Sequence, residues 1–260
     1  MFPILFHIGS FAVHTYGLLV ALGFLVGLTY AARRAWARGL EVQQVTDLCV
    51  LALLAGLIGS KLLLLLLSYR WYYDHPGELW GGLRLGGVFY GGLLGAVAAA
   101  GWYLQRHRLS FWQTGDAVFP ALALGQAIGR LGCFAAGCCY GKPAQLPWAV
   151  TFRSQMAHEF VGVPLGAALH PTQLYLALAD LMLWLGLLWV ERRQQFRGQV
   201  TLAYLIGYAT LRGVIEIWRG DDRGFVPGTA LSTSQALGIA LVLVGLLFYL
   251  RRRAQVGGVA

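Results

Sequence analysis

Charge is what this chain lacks. Of its 260 residues only 12% are charged, while 58% are hydrophobic and the mean hydropathy is +0.62. That composition excludes a soluble globular domain and indicates a membrane protein. No Lys or Arg precedes Arg33, which argues against a cleaved signal peptide with its basic leading region. No internal repeat, low-complexity run or soluble linker domain interrupts the chain, and its 4 cysteines include no CxxC pair. The expectation is a single polytopic membrane domain over residues 1–260.

What is present is a series of long apolar runs. A membrane helix needs about 20 mostly apolar residues, and seven stretches qualify, at about 12–32, 45–68, 86–104, 117–136, 171–190, 200–218 and 232–250. The expected fold class is therefore an all-α integral membrane protein with seven transmembrane helices. The one long connection, about 131–169, is broken by prolines and glycines and predicts a small outer cap between spans four and five, with short strands such as "WAVTF". Small residues in "GSK", "LGG", "YGG" and "LLG" mark places where helices approach closely.

Orientation follows from the arginines, because short cytoplasmic loops collect Lys and Arg. Arg33, Arg34 and Arg38 follow span one, Arg106 and Arg108 span three, Arg192, Arg193 and Arg197 span five, and Arg251, Arg252 and Arg253 the last span. All these ends fall on one side. The opposite loops hold acids instead, among them Asp74, Glu78, Glu159, Asp221 and Asp222. The amino terminus is expected outside and the carboxyl terminus in the cytoplasm. The net charge of +9 is mostly used up by this asymmetry and so does not point to nucleic acid.

Charged groups inside spans are costly and usually face an interior or a wet cavity. Lys61 lies in span two, Asp116 and Arg130 at the two ends of span four, and Arg212, Glu216 and Arg219 in or beside the outer half of span six. In "YATLRGVIEIWR" the spacing i, i+4, i+8 aligns Tyr208, Arg212 and Glu216, with Arg219 three residues further on the same side. Arg212 and Glu216 can simply pair to hold the bundle. Three arginines near one depth nevertheless look like a cationic excess that an anion completes. Guanidinium forks match phosphate oxygens bidentately, so the expected ligand is a phospholipid entering sideways between helices.

These residues carry a resemblance. "GRLG" around Arg130, Asp116 fourteen residues before it, "HPTQLY" with His170 and Gln173 at the head of span five, "YGLLVALGF" with Tyr16 in span one, and "YATLRGVIEIWRGDD" in span six occur in the order seen in the phosphatidylglycerol:prolipoprotein diacylglyceryl transferase family. The chain resembles that family over nearly its whole length. The resemblance implies a bacterial inner-membrane enzyme that moves a diacylglyceryl group from phosphatidylglycerol to the lipobox cysteine of a preprolipoprotein, forms a thioether, releases glycerol phosphate and needs no cofactor. It assigns catalysis to Arg130 and Arg212, and places Tyr16, Asp116, Gln173, Tyr208, Glu216 and Arg219 in substrate binding, to which Lys61 is added as a charge inside a span.

The departures from the family pattern cluster in the same region. Tyr90 stands in "YGG" where "HGG" is common, and in "GRLGCFAAGCCYG" Cys133, Ala136 and Cys138 replace asparagine, asparagine and glutamate. Leu176 follows "HPTQLY" in place of a glutamate. The general base is expected to be Tyr90, if nearby arginines lower its phenol pKa, or His170, which is equally readable as a cap or hydrogen-bond post. His7, His14, His75, His107 and His158 carry no special weight.

The cysteines leave several readings open. Cys133 can close a disulfide with Cys138 or Cys139 on the oxidising outer side, Cys138 can act as a covalent relay, or the three can be packing. Metal binding is not expected, because "CxxxxCC" lacks zinc spacing and a clear fourth ligand. Cys49 reads as core. A transporter, a membrane thiol oxidoreductase and a family-related transferase with a non-lipoprotein acceptor are the alternatives. The first two leave the order of span six unexplained.

Overall fold

The architecture is that of a computed structural model, which describes residues 4–9, 11–221, 224–225, 227–229 and 231–257. Asp222, one of the acids read from sequence, lies outside the described residues. In chain order the elements are strands β1 (Ile4–Ile8) and β2 (Phe11–His14), helices α1 (Thr15–Ala37), α2 (Val42–Leu67) and α3 (Tyr69–Asp74), a 3-10 turn at Pro76–Glu78, then α4 (Leu79–Leu85), α5 (Phe89–Arg106) and α6 (Phe111–Ala136). Strand β3 (Val150–Thr151), helix α7 (Gln155–Val161) and strand β4 (Ala168–Leu169) follow. Helices α8 (Thr172–Arg192), α9 (Gln199–Ile215), a 3-10 turn at Glu216–Trp218 and α10 (Thr233–Gly257) complete the chain.

Among the described residues, six helices are long and apolar enough to cross a membrane: Thr15–Ala37, Val42–Leu67, Phe111–Ala136, Thr172–Arg192, Gln199–Trp218 and Thr233–Gln255. They coincide with six of the seven expected spans. The remaining stretch, 86–104, is the helix α5, whose 18 residues include four glycines and a polar Gln105–Arg106 end. The first span begins at Thr15 instead of residue 12, because Phe11–His14 pair with Ile4–Ile8 in an antiparallel hairpin.

The chain divides into two compact units, residues 31–114 and residues 1–30 with 115–260. In the first, α2 lies against α5. A Cβ on Gly59 or on Gly91 would overlap the other's carbonyl oxygen, so the glycines of "GSK" and "YGG" are what lets these helices meet. Lys61 Nζ donates to the Gly86 carbonyl and Val88 N to the Ser60 carbonyl at 3.1 Å, which ties the turn before α5 to α2.

In the second unit α9 packs between α8 and α10. Ala123 of α6, Leu187 of α8, and Val200 and Tyr204 of α9 form a buried cluster. Residues 137–169 fold into a small module, shorter than the expected 131–169 because α6 continues to Ala136. Val150–Thr151, within "WAVTF", pairs antiparallel with Ala168–Leu169, and Phe152, Ala157, Val163 and Leu169 bury its centre.

Candidate functional site

The site grows from the end of α6. That helix stops at Ala136, and Gly137 with φ +80° turns the chain back, the left-handed step that glycine takes without a Cβ penalty. Cys139 then adopts φ +63°, a conformation that costs a cysteine roughly 1–3 kcal/mol and persists only where its surroundings impose it. Here they do. Thr172 Oγ1 donates to the Cys139 carbonyl at 2.7 Å and Gln173 Nε2 to the Cys138 carbonyl at 2.8 Å, both from the fully buried first turn of α8. The "HPTQLY" motif thus clamps "GCCYG".

Reversing the chain brings three sulfurs together. The Sγ atoms of Cys133, Cys138 and Cys139 all lie within 4.8 Å of one another, each half-buried. None of the four cysteines is in a disulfide; the thiols converge as a triad, where a bonded pair with one thiol left over was one of the readings that the sequence left open. Hydrogen bonds from Cys133 and Cys138, reinforced by the Arg219 guanidinium, hold the Cys139 thiol well below the ordinary range, and burial opposes them. Cys138, bonded to the other two thiols and buried, is pushed up. Tyr16, at the start of α1, interacts with all three sulfurs and with Arg130.

Beside the thiols lies a set of ion pairs. Arg212 donates to Glu216 Oε2, and Ser232 Oγ to Glu216 Oε1 at 3.3 Å. Arg219 Nε and Nη2 make a bidentate pair with Asp221 at 2.8 and 2.6 Å. Its Nε also lies 3.8 Å from Glu216. Burial alone would lower the Arg219 pKa, but hydrogen bonds to Asp221 and the charge of Cys139 outweigh it and raise it. Arg130 interacts electrostatically with Tyr208, Cys133, Cys139 and Asp180. Unlike Arg212 and Arg219, it is in salt-bridge contact with no carboxylate among the described residues.

Asp180 revises the charge count. It lies in the middle of α8, 2% exposed, and interacts with both Arg130 and Arg212. With Glu216 and Asp221 it matches the three arginines in number, so the cationic excess read from sequence is absent from the site as a whole. What remains is local, namely that Arg130 has no contacting carboxylate among the described residues. The signal for Asp180 was present in "LYLALADLM", a lone acid in an apolar run, and the rule applied to the other intramembrane charges fits it equally.

The other expected site residues are placed as follows. Asp116 is fully buried and accepts from Gly198 N at 2.7 Å, Thr201 N at 2.8 Å, Thr201 Oγ1 at 2.9 Å and Gln194 Nε2 at 2.6 Å. It caps the start of α9, about 21 Å along α6 from Arg130 at the usual helical rise. His170 Nδ1 meets Tyr175 Oη at 3.2 Å, which in turn accepts from Trp148 Nε1 at 2.8 Å, a hydrogen-bond post under the small module. Its backbone pairs with Gly141 and Lys142 at 3.0 Å each. Tyr208 stacks on Tyr204 at 5.6 Å, and Tyr204 Oη donates to Gln126 at 2.9 Å. Lys61 and Tyr90 belong to the other unit, where Tyr90 is 40% exposed and edge-on to Phe89.

Fold and site together define a multi-pass helical membrane protein in which arginines of α6 and of the α9 end are interleaved with carboxylates and a thiol triad. A family profile, "Prolipoprotein diacylglyceryl transferase", matches residues 3–251. The chain is 33% identical over 249 residues to "Phosphatidylglycerol--prolipoprotein diacylglyceryl transferase" of Clostridium tetani, covering 96% of this chain and 97% of the relative. To the protein of that name from Aliivibrio salmonicida it is 36% identical over 253 residues, 94% of this chain and 85% of the relative. The chain belongs to the prolipoprotein diacylglyceryl transferase family.

Proposed function

We propose that this protein transfers the diacylglyceryl group of phosphatidylglycerol to the lipobox cysteine of preprolipoproteins in the bacterial plasma membrane. The observation that carries the reading is Arg130, a guanidinium that interacts electrostatically with Tyr208, Asp180, Cys133 and Cys139 and is in salt-bridge contact with no carboxylate among the described residues. Its fork suits the phosphodiester of the lipid. Arg212 and Arg219, oriented by Glu216 and Asp221, line the same site, and Tyr16 and Tyr208 interact electrostatically with Arg130.

The reaction is a displacement at a saturated carbon. The acceptor sulfur forms a bond to the glyceryl carbon, the carbon–oxygen bond breaks, and its electron pair leaves on the phosphate oxygen. Arg130 stabilises that developing charge in a water-poor site, where preoriented donors act most strongly. The surrounding topology is seven spans with α5 as the third, residues 137–169 as an outer cap, the amino terminus outside and the carboxyl terminus in the cytoplasm.

The test is direct. Purified protein in detergent is given phosphatidylglycerol and a lipobox peptide, and mass spectrometry looks for the diacylglyceryl thioether. The adduct on the peptide cysteine is expected. No adduct, where a related enzyme yields one in parallel, would sink the reading.

A further inference from the structure

The three thiols call for an account that neither lipid binding nor phosphate departure provides. A covalent relay through Cys138 or Cys139 does not supply it. An intermediate helps only when it splits a hard step into two easier ones, and a neutral dialkyl thioether is harder to open than the phosphodiester it replaces. The donor set points elsewhere. Three sulfurs from one reversed turn, within 4.8 Å of one another, are a donor set that suits a soft metal. Tetrahedral zinc with Zn–S near 2.3 Å needs sulfurs about 3.8 Å apart, so the triad has to tighten by about 1 Å at most.

We propose that Cys133, Cys138 and Cys139 bind one thiophilic divalent metal ion, zinc foremost, and that the fourth position on that ion receives the thiol of the acceptor. Three protein ligands and one open position is the arrangement of catalytic zinc sites, whereas structural sites are closed with four. The spacing "CxxxxCC" hides this arrangement, because Gly137 and Cys139 fold the last two cysteines back over the first. Thr172 and Gln173, bonded to the carbonyls of two ligands, fix the sulfur directions as second-shell groups do in metal sites. Arg130 and Arg219, which interact with Cys139, offset the net negative charge of a divalent ion with three thiolates.

Such an ion would activate the acceptor directly. A thiol that coordinates such an ion is deprotonated outright, and the thiolate is the nucleophile. Acceptor activation then needs no histidine at the position of Tyr90. The balance is simple: the acceptor thiol gives up its proton on binding, its sulfur takes the glyceryl carbon, and glycerol phosphate leaves with the carbon–oxygen electron pair and picks up the proton. The thioether is neutral and a weaker ligand, so it departs. The identity of the fourth ligand rests on the function proposed above, and the metal site itself does not.

Cobalt(II) is the probe. The whole protein, reduced and stripped of metal by a chelator in detergent, is titrated with Co²⁺. A thiolate-to-cobalt charge-transfer band with tetrahedral visible bands, saturating at about one equivalent and displaced by Zn²⁺, is expected. Cys139→Ser should lose it, and a lipobox peptide should shift the visible bands where its Cys→Ser analogue does not. Wild-type protein with all thiols titrating as reduced and no such band overturns the site, whether or not any cysteine variant folds. Full transfer by metal-free enzyme, with no gain from zinc, overturns the activating role. A band that shifts with peptide but no diacylglyceryl product from any acceptor peptide supports the metal site and sinks the transferase reading instead.

Discussion

Thr172 Oγ1 donates to the carbonyl of Cys139 across 2.7 Å, and that bond joins the first turn of α8 to a cysteine held at φ +63°. Thirty-three positions apart in sequence, the two residues make one local structure. Thr172→Val keeps the volume and removes this donor to the Cys139 carbonyl, at a cost of about 0.5–1.5 kcal/mol. Thermal unfolding in detergent should fall accordingly, and the three sulfurs should react with a thiol reagent more uniformly than in wild type. An unchanged unfolding temperature would show that the turn is held by other means.

Asp116 is a fold residue by its contacts. Asp116→Ala leaves two backbone N–H groups at the start of α9 and the hydroxyl of Thr201 without their acceptor, a loss on the order of 3 kcal/mol for a buried charged acceptor. The expected result is low yield and early unfolding, with turnover per folded molecule near wild type. A stable Asp116→Ala protein that fails to turn over would return this residue to the substrate site.

Arg130 should behave in the opposite way. Arg130→Ala is expected to lower turnover by about 10²-fold or more, the usual loss when a preoriented donor to a developing oxyanion is removed, with little change in unfolding temperature. Arg130→Lys should recover little, because a point charge cannot reproduce the fork. Near wild-type turnover in the alanine variant would remove the phosphate from this position.

Much of this arrangement was legible in the linear sequence, and the failures have definite causes. The i, i+4 and i+3 spacing of Arg212, Glu216 and Arg219 is helix geometry, and the ion pairs follow it. Asp116 and Arg130 looked alike as charges within one apolar run. What separates them is that Asp116 meets the backbone of Gly198 and Thr201, 82 and 85 residues away, a pairing that no local pattern announces. The convergence of the thiols was not legible, because residue spacing measures distance along an extended or helical chain, whereas two left-handed residues, Gly137 and Cys139 on either side of Cys138, fold this one back. The small module was visible in its prolines and glycines, but the clamp from Thr172 that fixes it was not.

Orientation is tested by reporters. The arginine-rich ends predict that a reporter active only in the cytoplasm works when fused after Arg253 and is silent when inserted near Gln145, within the 137–169 module. The reverse pattern would put the thiol triad and the ion pairs on the cytoplasmic side and remove the outer-leaflet lipid from the proposed function.

The sharpest test of the charge arrangement is Asp180, which interacts with both Arg130 and Arg212 from the middle of α8. If it serves only to neutralise the two arginines, Asp180→Asn frees them for the anionic lipid, and the KM for phosphatidylglycerol should fall or stay level. If it also aims Arg130, the same substitution lets the fork swing, and turnover should drop. Both effects are expected together, because Asn keeps the shape of the side chain while losing the charge that orients a guanidinium: kcat lower by about tenfold to a hundredfold, in line with about 1.4 kcal/mol per factor of ten, and KM not raised. Asp180→Leu should instead unfold early, since removing one partner from a buried charged group typically costs about 3–5 kcal/mol. A raised KM with unchanged kcat in Asp180→Asn would mean that Asp180 binds the substrate directly and that Arg130 is aimed by something else.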